Sequence, residues 1–266
     1  MREIERIYIP VIQGMAVTAT FIFTEIVLTW FGAFNNEVRL YLVDIPLRLL
    51  FGTIALLLLV YNTKKQRSHY SIRELFTNKI PSGTYLLLLP FVVYLVVTLL
   101  PMTVGEEKEL SANFAGMYSI NLTQQLATGY FEEGTRALLM CGLLKYCIDT
   151  TKKRLQAIFI SGVCFGLSHI LNFLFGKDII STLWQVFYSF IWGLLLAAIY
   201  MLSKNLTLIM IIHAIWDIVI KIPNTFYTLP ESSMLLDAVS IIQLVLQFVI
   251  TPAVAVYICI KYDKLR

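Results

Sequence analysis

Residues 119–148 read SINLTQQLATGYFEEGTRALLMCGLLKYCI, an apolar stretch with Glu132, Glu133 and Arg136 at its centre. An acidic side chain in the middle of a membrane helix costs about 2.5–3.5 kcal/mol on insertion scales. A helix with such a polar face needs protein or water against it, not lipid. The stretch therefore belongs inside a bundle, and the rest of the chain must supply the helices that enclose it.

Composition supplies them. Of 266 residues, 58% are hydrophobic and 14% charged, with a mean hydropathy of +0.75; soluble domains are roughly 45–50% apolar and about 25% charged. Apolar runs of 18 or more residues can cross a hydrocarbon layer about 30 Å thick. Eight spans are expected, at 8–33, 41–62, 83–103, 121–147, 155–176, 181–202, 206–222 and 236–260. The fold class is all-α, a polytopic transmembrane helical bundle forming one membrane domain over 1–266. Within it, 1–120 holds the first spans and a basic loop, 121–222 the polar core, and 223–266 the last span. The first run, YIPVIQGMAVTATFIFTEIVLTWF (8–31), exceeds the 7–15 apolar residues of a signal peptide and reads as an uncleaved anchor.

Basic residues orient the bundle. With the N-terminus inside, Arg2, Arg6, Lys64, Lys65, Arg67, Arg73, Lys79, Lys145, Lys152, Lys153, Arg154, Lys204, Lys261, Lys264 and Arg266 fall on the cytoplasmic side. Only Arg39, Lys108, Lys177 and Lys221 fall outside, and both termini are cytoplasmic. The expected location is the cell membrane, multi-pass. The loop TKKQRSHYSIRELFTNKIP (63–81) reads either as a basic amphipathic stretch on anionic headgroups or as a solvated connector. The net charge of +4 is modest and no basic patch interleaves with aromatics, which argues against a nucleic-acid partner. Cys141, Cys147, Cys164 and Cys259 show no paired spacing and read as small buried hydrophobes.

The ionisable residues inside the spans carry the functional signal. Glu132, Glu133 and Asp217 together would cost on the order of 8–10 kcal/mol if unpaired. Arg136 reaches Glu132 (i, i+4) or Glu133 (i, i+3), which leaves one carboxylate over. FGLSHILN (165–172) sets Phe165 one turn before His169, with Asn172 three residues on; IIHAIWD (211–217) sets His213 one turn before Asp217. Two of the three histidines thus lie in apolar spans beside a polar partner; the third, His69, is in the basic loop. At 1.5 Å per residue, Glu132 and His169 lie roughly 21–22 Å from the cytoplasmic ends of their spans, and His213 only about 10 Å. Asp44 and Arg48 read as a structural pair, and Glu25 as facing protein.

Such a set suits hydrolysis of a peptide bond, which needs a base for water and donors for the developing oxyanion. The residue types equally fit a catalytic zinc held by Glu132, His169 and His213, although no H-E-x-x-H is present. A structural ion-pair cluster with core histidines is the alternative without chemistry.

In this order the three islands, Glu132-Glu133…Arg136, Phe165…His169 and His213…Asp217, resemble the CPBP family of membrane-embedded CAAX-processing and bacteriocin-processing proteases, also called the Abi family. The resemblance covers 121–222. Arg136 departs from it, standing four positions after Glu132 where the family has five, a rotation of about 100° on a helix unless a π-type bulge restores it. The resemblance implies Glu132 as general base, oriented by Glu133 or Arg136. It implies His169 as a contact to water or oxyanion, with His213 and Asp217 completing the site and Asn172 as a further donor. The expected activity is endopeptidase cleavage of a membrane-associated peptide or protein in a cavity reached from the cytoplasm, in peptide maturation or bacteriocin processing and self-immunity. The partners are the lipid bilayer and the substrate. The Ile-, Leu-, Lys- and Tyr-rich usage points to an AT-rich bacterial genome, which favours those settings over CAAX work. The alternative is a non-catalytic immunity or regulatory protein of this type that binds a membrane partner. A transporter ranks last, because neither interrupted helices nor a repeat is evident.

Overall fold

Helices occupy all eight expected ranges in the computed structural model, which describes residues 3–32, 37–65, 72–230 and 233–265. Arg2, Arg67, His69, Arg266 and the Arg39 side chain lie outside the described residues. Helices α1 (Glu3–Trp30) and α2 (Glu37–Lys65) form the first two spans, and α3 (Ile72–Thr77) follows the basic loop. The third range is broken: α4 (Gly83–Leu87) gives way at Leu88 to α5 (Leu89–Leu99), where Pro90 occupies the first turn. Proline has no N–H to lose at that position, so it marks a start and not an interior.

The helix α6 (Phe114–Tyr146) contains the opening stretch. It packs against α1, α2, α7 (Thr151–Ser168), α8 (Ile179–Ser203) and α9 (Leu206–Val219). Close approach rests on small residues, as between helices in lipid. A Cβ at Gly142 would meet the Ile7 carbonyl oxygen at 2.5 Å and the Arg6 oxygen at 2.6 Å. The chain is thus a multi-pass membrane protein whose most polar long helix is enclosed by five others.

Local signals define the ends of these helices. Side chains of Thr150, Asp178 and Asn205 accept hydrogen bonds from backbone N–H groups of α7, α8 and α9 in turn, the N-cap arrangement. After α7 a 3-10 segment runs Ile170–Phe175 and stops at Gly176, whose φ of 85° lies in the left-handed region. Beyond α9 come α10 (Ile222–Phe226), α11 (Met234–Val245), a π turn (Leu246–Ile250) and α12 (Thr251–Leu265). The short strands β1 (Glu106–Glu107) and β2 (Tyr227–Thr228) pair antiparallel.

Six helical stretches among the described residues are long and apolar enough to cross a membrane: 5–30, 42–65, 151–175, 179–203, 206–226 and 234–265. The expected count of eight adds the shorter apolar helix Leu89–Thr103 and α6, which has the length but not the hydropathy.

The core has two unequal ends. Where α6, α7, α8 and α9 approach the basic loops, Leu143, Ile158, Ile199, Met201, Leu206 and Ile209 are at most 2% exposed. Beneath them the α8–α9 turn is recessed. Asn78 Nδ2 donates to the Ser203 carbonyl at 3.0 Å, and Asn205 Nδ2 donates to the Asn78 carbonyl at 2.7 Å. Segment 72–80 therefore covers the turn from which α9 starts.

Candidate active site

The site is built where α6 faces α9. Glu133 is fully buried and takes two hydrogen bonds from Arg136, Nε to Oε2 at 2.7 Å and Nη2 to Oε1 at 3.2 Å. His213 Nδ1 approaches Glu133 Oε1 at 2.6 Å. An ionised carboxylate only accepts, so Nδ1 carries a proton. Nε2 then faces Glu132 Oε2 at 3.4 Å and Asp217 Oδ2 at 3.6 Å. Of the two adjacent glutamates, Glu133 is the anchored one and Glu132 the one with a free face. Arg136 pairs with Glu133 and not with Glu132; it also donates to the Gly193 carbonyl at 3.3 Å and lies 4.0 Å above the Phe165 ring. Helix α6 is regular through this stretch, so no bulge alters the Arg136 spacing; the π turn of the chain falls at 246–250 instead.

His169 ends α7, and its ring meets Phe165 edge-on at 5.2 Å; His213 meets the same ring at 5.8 Å. Phe165 is thus a wedge between the two imidazoles. Gln185 on α8 adds a partner that sequence reasoning missed. Its Oε1 accepts from Asn172 Nδ2 at 3.0 Å and from Lys177 Nζ at 2.5 Å. That leaves Gln185 Nε2 facing His169 Nδ1 at 3.5 Å, an approach that suits a His169 proton on Nε2. A glutamine in TLWQVFYSF belongs to no motif; the only signal was one polar residue in an apolar span.

These residues share a cavity of about 580 Å³, lined among others by Glu132, Arg136, His169, Asn172, His213 and Asp217. Glu133 stands behind the wall. A second charged cluster lies on α1 and α2. Arg48 pairs with Asp44 at 2.8 Å and with Glu25 at 3.6 Å, and Gln124 donates to Asp44 at 2.7 Å. Glu25 and Arg48 also line the cavity, so the expected Asp44–Arg48 pair extends to Glu25. An aromatic group closes another wall: Trp192 and Trp216 have centroids 4.1 Å apart, Tyr94 lies 4.4 Å from Trp216, and Phe91 lies 5.7 Å from Trp192.

The shallow depth expected for His213 is counted from the α8–α9 turn, which segment 72–80 covers, so α9 does not begin at the edge of the bundle. On α7 and α9 the lining runs over 161–172 and 212–221, away from the basic loops, and on α8 over 185–196, the middle of the helix. Among the described residues no three His, Cys, Asp or Glu side chains are gathered so as to hold a metal ion. His169, His213 and Glu132 share the cavity without forming a ligand set.

Residues 117–219 match a family model described as Rce1-like, type II CAAX prenyl endopeptidase Rce1-like. The matched range overlaps the stretch that carries the CPBP resemblance, 121–222, over residues 121–219. No curated protein and no solved structure matches the chain. The family match supports a membrane endopeptidase in general, with a bilayer and a peptide or protein substrate as its partners.

Proposed function

We propose, from the premise that residues 117–219 form an Rce1-like endopeptidase core, that this protein hydrolyses a peptide bond in a membrane-associated peptide by a CPBP-type mechanism. The observation that carries the reading is His213, whose ring spans from the buried Glu133 to the cavity-facing Glu132. Glu132 takes a proton from water, and the resulting hydroxide attacks the scissile carbonyl. The Nε2–H of His169 and the Asn172 amide donate to the oxyanion that forms. Glu132 then returns its proton to the leaving amine as the C–N bond breaks. Glu133 and Arg136 do not touch substrate in this scheme; with Asp217 they hold the His213 ring. Positioned acid–base groups of this kind contribute about 10²–10⁴-fold.

The biological setting we attach is peptide maturation, or bacteriocin processing and self-immunity. The test is cleavage of candidate peptides by purified wild type and Glu132→Gln, each with and without a chelator. Loss of cleavage in Glu132→Gln with normal accumulation is expected. Full activity in Glu132→Ala, His169→Ala and His213→Ala alike removes the peptidase reading. A Glu132→Gln protein that keeps its cellular phenotype favours the non-catalytic immunity role. The chelator arm tests the zinc expected from the residue types, which the proposed steps do not use.

A further inference from the structure

The basic loops gather at one end of the bundle, and the cavity runs from its middle toward the other end. Segments 3–7, 64–65, 73–79, 145–154, 203–205 and 261–265 share one end. They are tied there by Asn78 to Ser203 and Asn205, and by Arg154 Nη2 to Asp263 at 2.9 Å. Among the described residues this end carries most of the Lys and Arg. The other end holds Lys108, Lys177 and Lys221, with Lys108 Nζ donating to the Asn224 carbonyl at 2.7 Å. Between the basic end and His213 stands the packed apolar layer of Leu143, Ile158, Ile199, Met201, Leu206 and Ile209. From Leu206 to His213 that layer is about 10 Å deep. Towards the far end the wall reaches Asn172 and Lys221, and Lys221 is solvent-exposed.

We infer that the candidate active site opens on the extracytoplasmic face and is sealed from the cytoplasm by this apolar layer. Lys/Arg-rich loops stay on the cytoplasmic side, and a close-packed layer of aliphatic side chains excludes water and peptide alike. The inference rests on the peptidase reading for its consequence, which is the substrate class. A scissile bond can reach Glu132 from a peptide that has been translocated, or that is inserted from the outer leaflet. The lipid-modified C-terminus of a cytosolic protein stands on the wrong side of the seal.

Cysteine labelling decides the facing in intact cells that produce the full chain. In a background retaining only Cys164, which lines the cavity, a small membrane-impermeant thiosulfonate added outside is expected to modify the thiol. With all four native cysteines replaced, Lys221→Cys is expected to label at least ten-fold more than Lys152→Cys, the two becoming equal after permeabilisation. Lys152 labelling from outside while Lys221 stays protected overturns the inference. So does a Cys164 that reacts only after permeabilisation, or from neither side. Labelling reads facing whatever the chemistry, whereas cleavage by solubilised protein reads chemistry whichever way the site faces. Failure of one is therefore distinguishable from failure of the other.

Discussion

Replacing Arg136 with methionine isolates the energetic core of the site. The side chains of Arg136 and Glu133 are 1% and 0% exposed, and their contact is 2.7 Å. Removing one partner of a buried ion pair costs about 3–5 kcal/mol, because the other charge is left uncompensated. Glu133 keeps only His213 in the variant. At about 2–4 °C per kcal/mol for a chain of roughly this size, unfolding in detergent should fall by about 6–20 °C. The double variant Glu133→Gln/Arg136→Met removes both charges but leaves an amide oxygen to accept from His213. It should recover most of the loss, since replacing a whole buried pair is often neutral. The assay is thermal unfolding followed by tryptophan emission, with accumulation in membranes as the second readout should the single variant fail to fold. A single variant within about 2 °C of the parent, or a double variant no better than the single, refutes the reasoning that this pair anchors α6.

Glu132→Gln should lower cleavage by about 10²–10⁴-fold yet leave the melting temperature near the parent value, because the Glu132 carboxylate faces the cavity; a large drop in melting temperature would contradict that placement. Gln185→Leu frees His169 Nδ1 and removes the shared acceptor of Asn172 and Lys177. Cleavage should fall by roughly ten-fold, the equivalent of about 1.4 kcal/mol, with Gln185→Glu, which keeps the acceptor but not the donor, failing to restore it. Arg154→Ala removes a buried guanidinium that donates to the Ile148 and Cys259 carbonyls and should destabilise by about 1.5–3 kcal/mol. Asp263→Asn should cost less than about 1 kcal/mol, because that carboxylate is 77% exposed; equal losses would place the value of the contact in the ion pair. Gly142→Ala should weaken the α1–α6 crossing, read as lower accumulation and a lower melting temperature, since the added Cβ meets backbone and not a movable side chain.

Much of the bundle was legible because apolar runs and their breaks are one-dimensional signals. One break within the spans, at Leu88 in 83–103, arises because Pro90 begins a new helix instead of bending an old one. The three polar islands were also legible, as charges and imidazoles stand out against aliphatic neighbours. Which glutamate faces the cavity was not. Glu132 and Glu133 differ by about 100° around one helix, and only the packing of α9 and Phe165 tells the inner face from the outer. Arg136 could reach either by spacing; the full burial of Glu133 decides the pairing. The depth of His213 escaped arithmetic because the floor under α9 is made by residues 72–80, more than 120 positions away. Gln185 escaped because its role depends on three partners from two other segments.

The paired indoles on the cavity wall give the molecule an optical handle of its own. Trp192 and Trp216 are close enough for their excited states to couple, whereas Trp30 and Trp184 are 84% and 51% exposed and lie outside that pair. Near-ultraviolet circular dichroism should therefore carry an asymmetric doublet from this one location. A guest that slides beside the rings, or a tilt of α9 that separates them, changes its amplitude, so occupancy can be followed in unlabelled protein by absorption of polarised light.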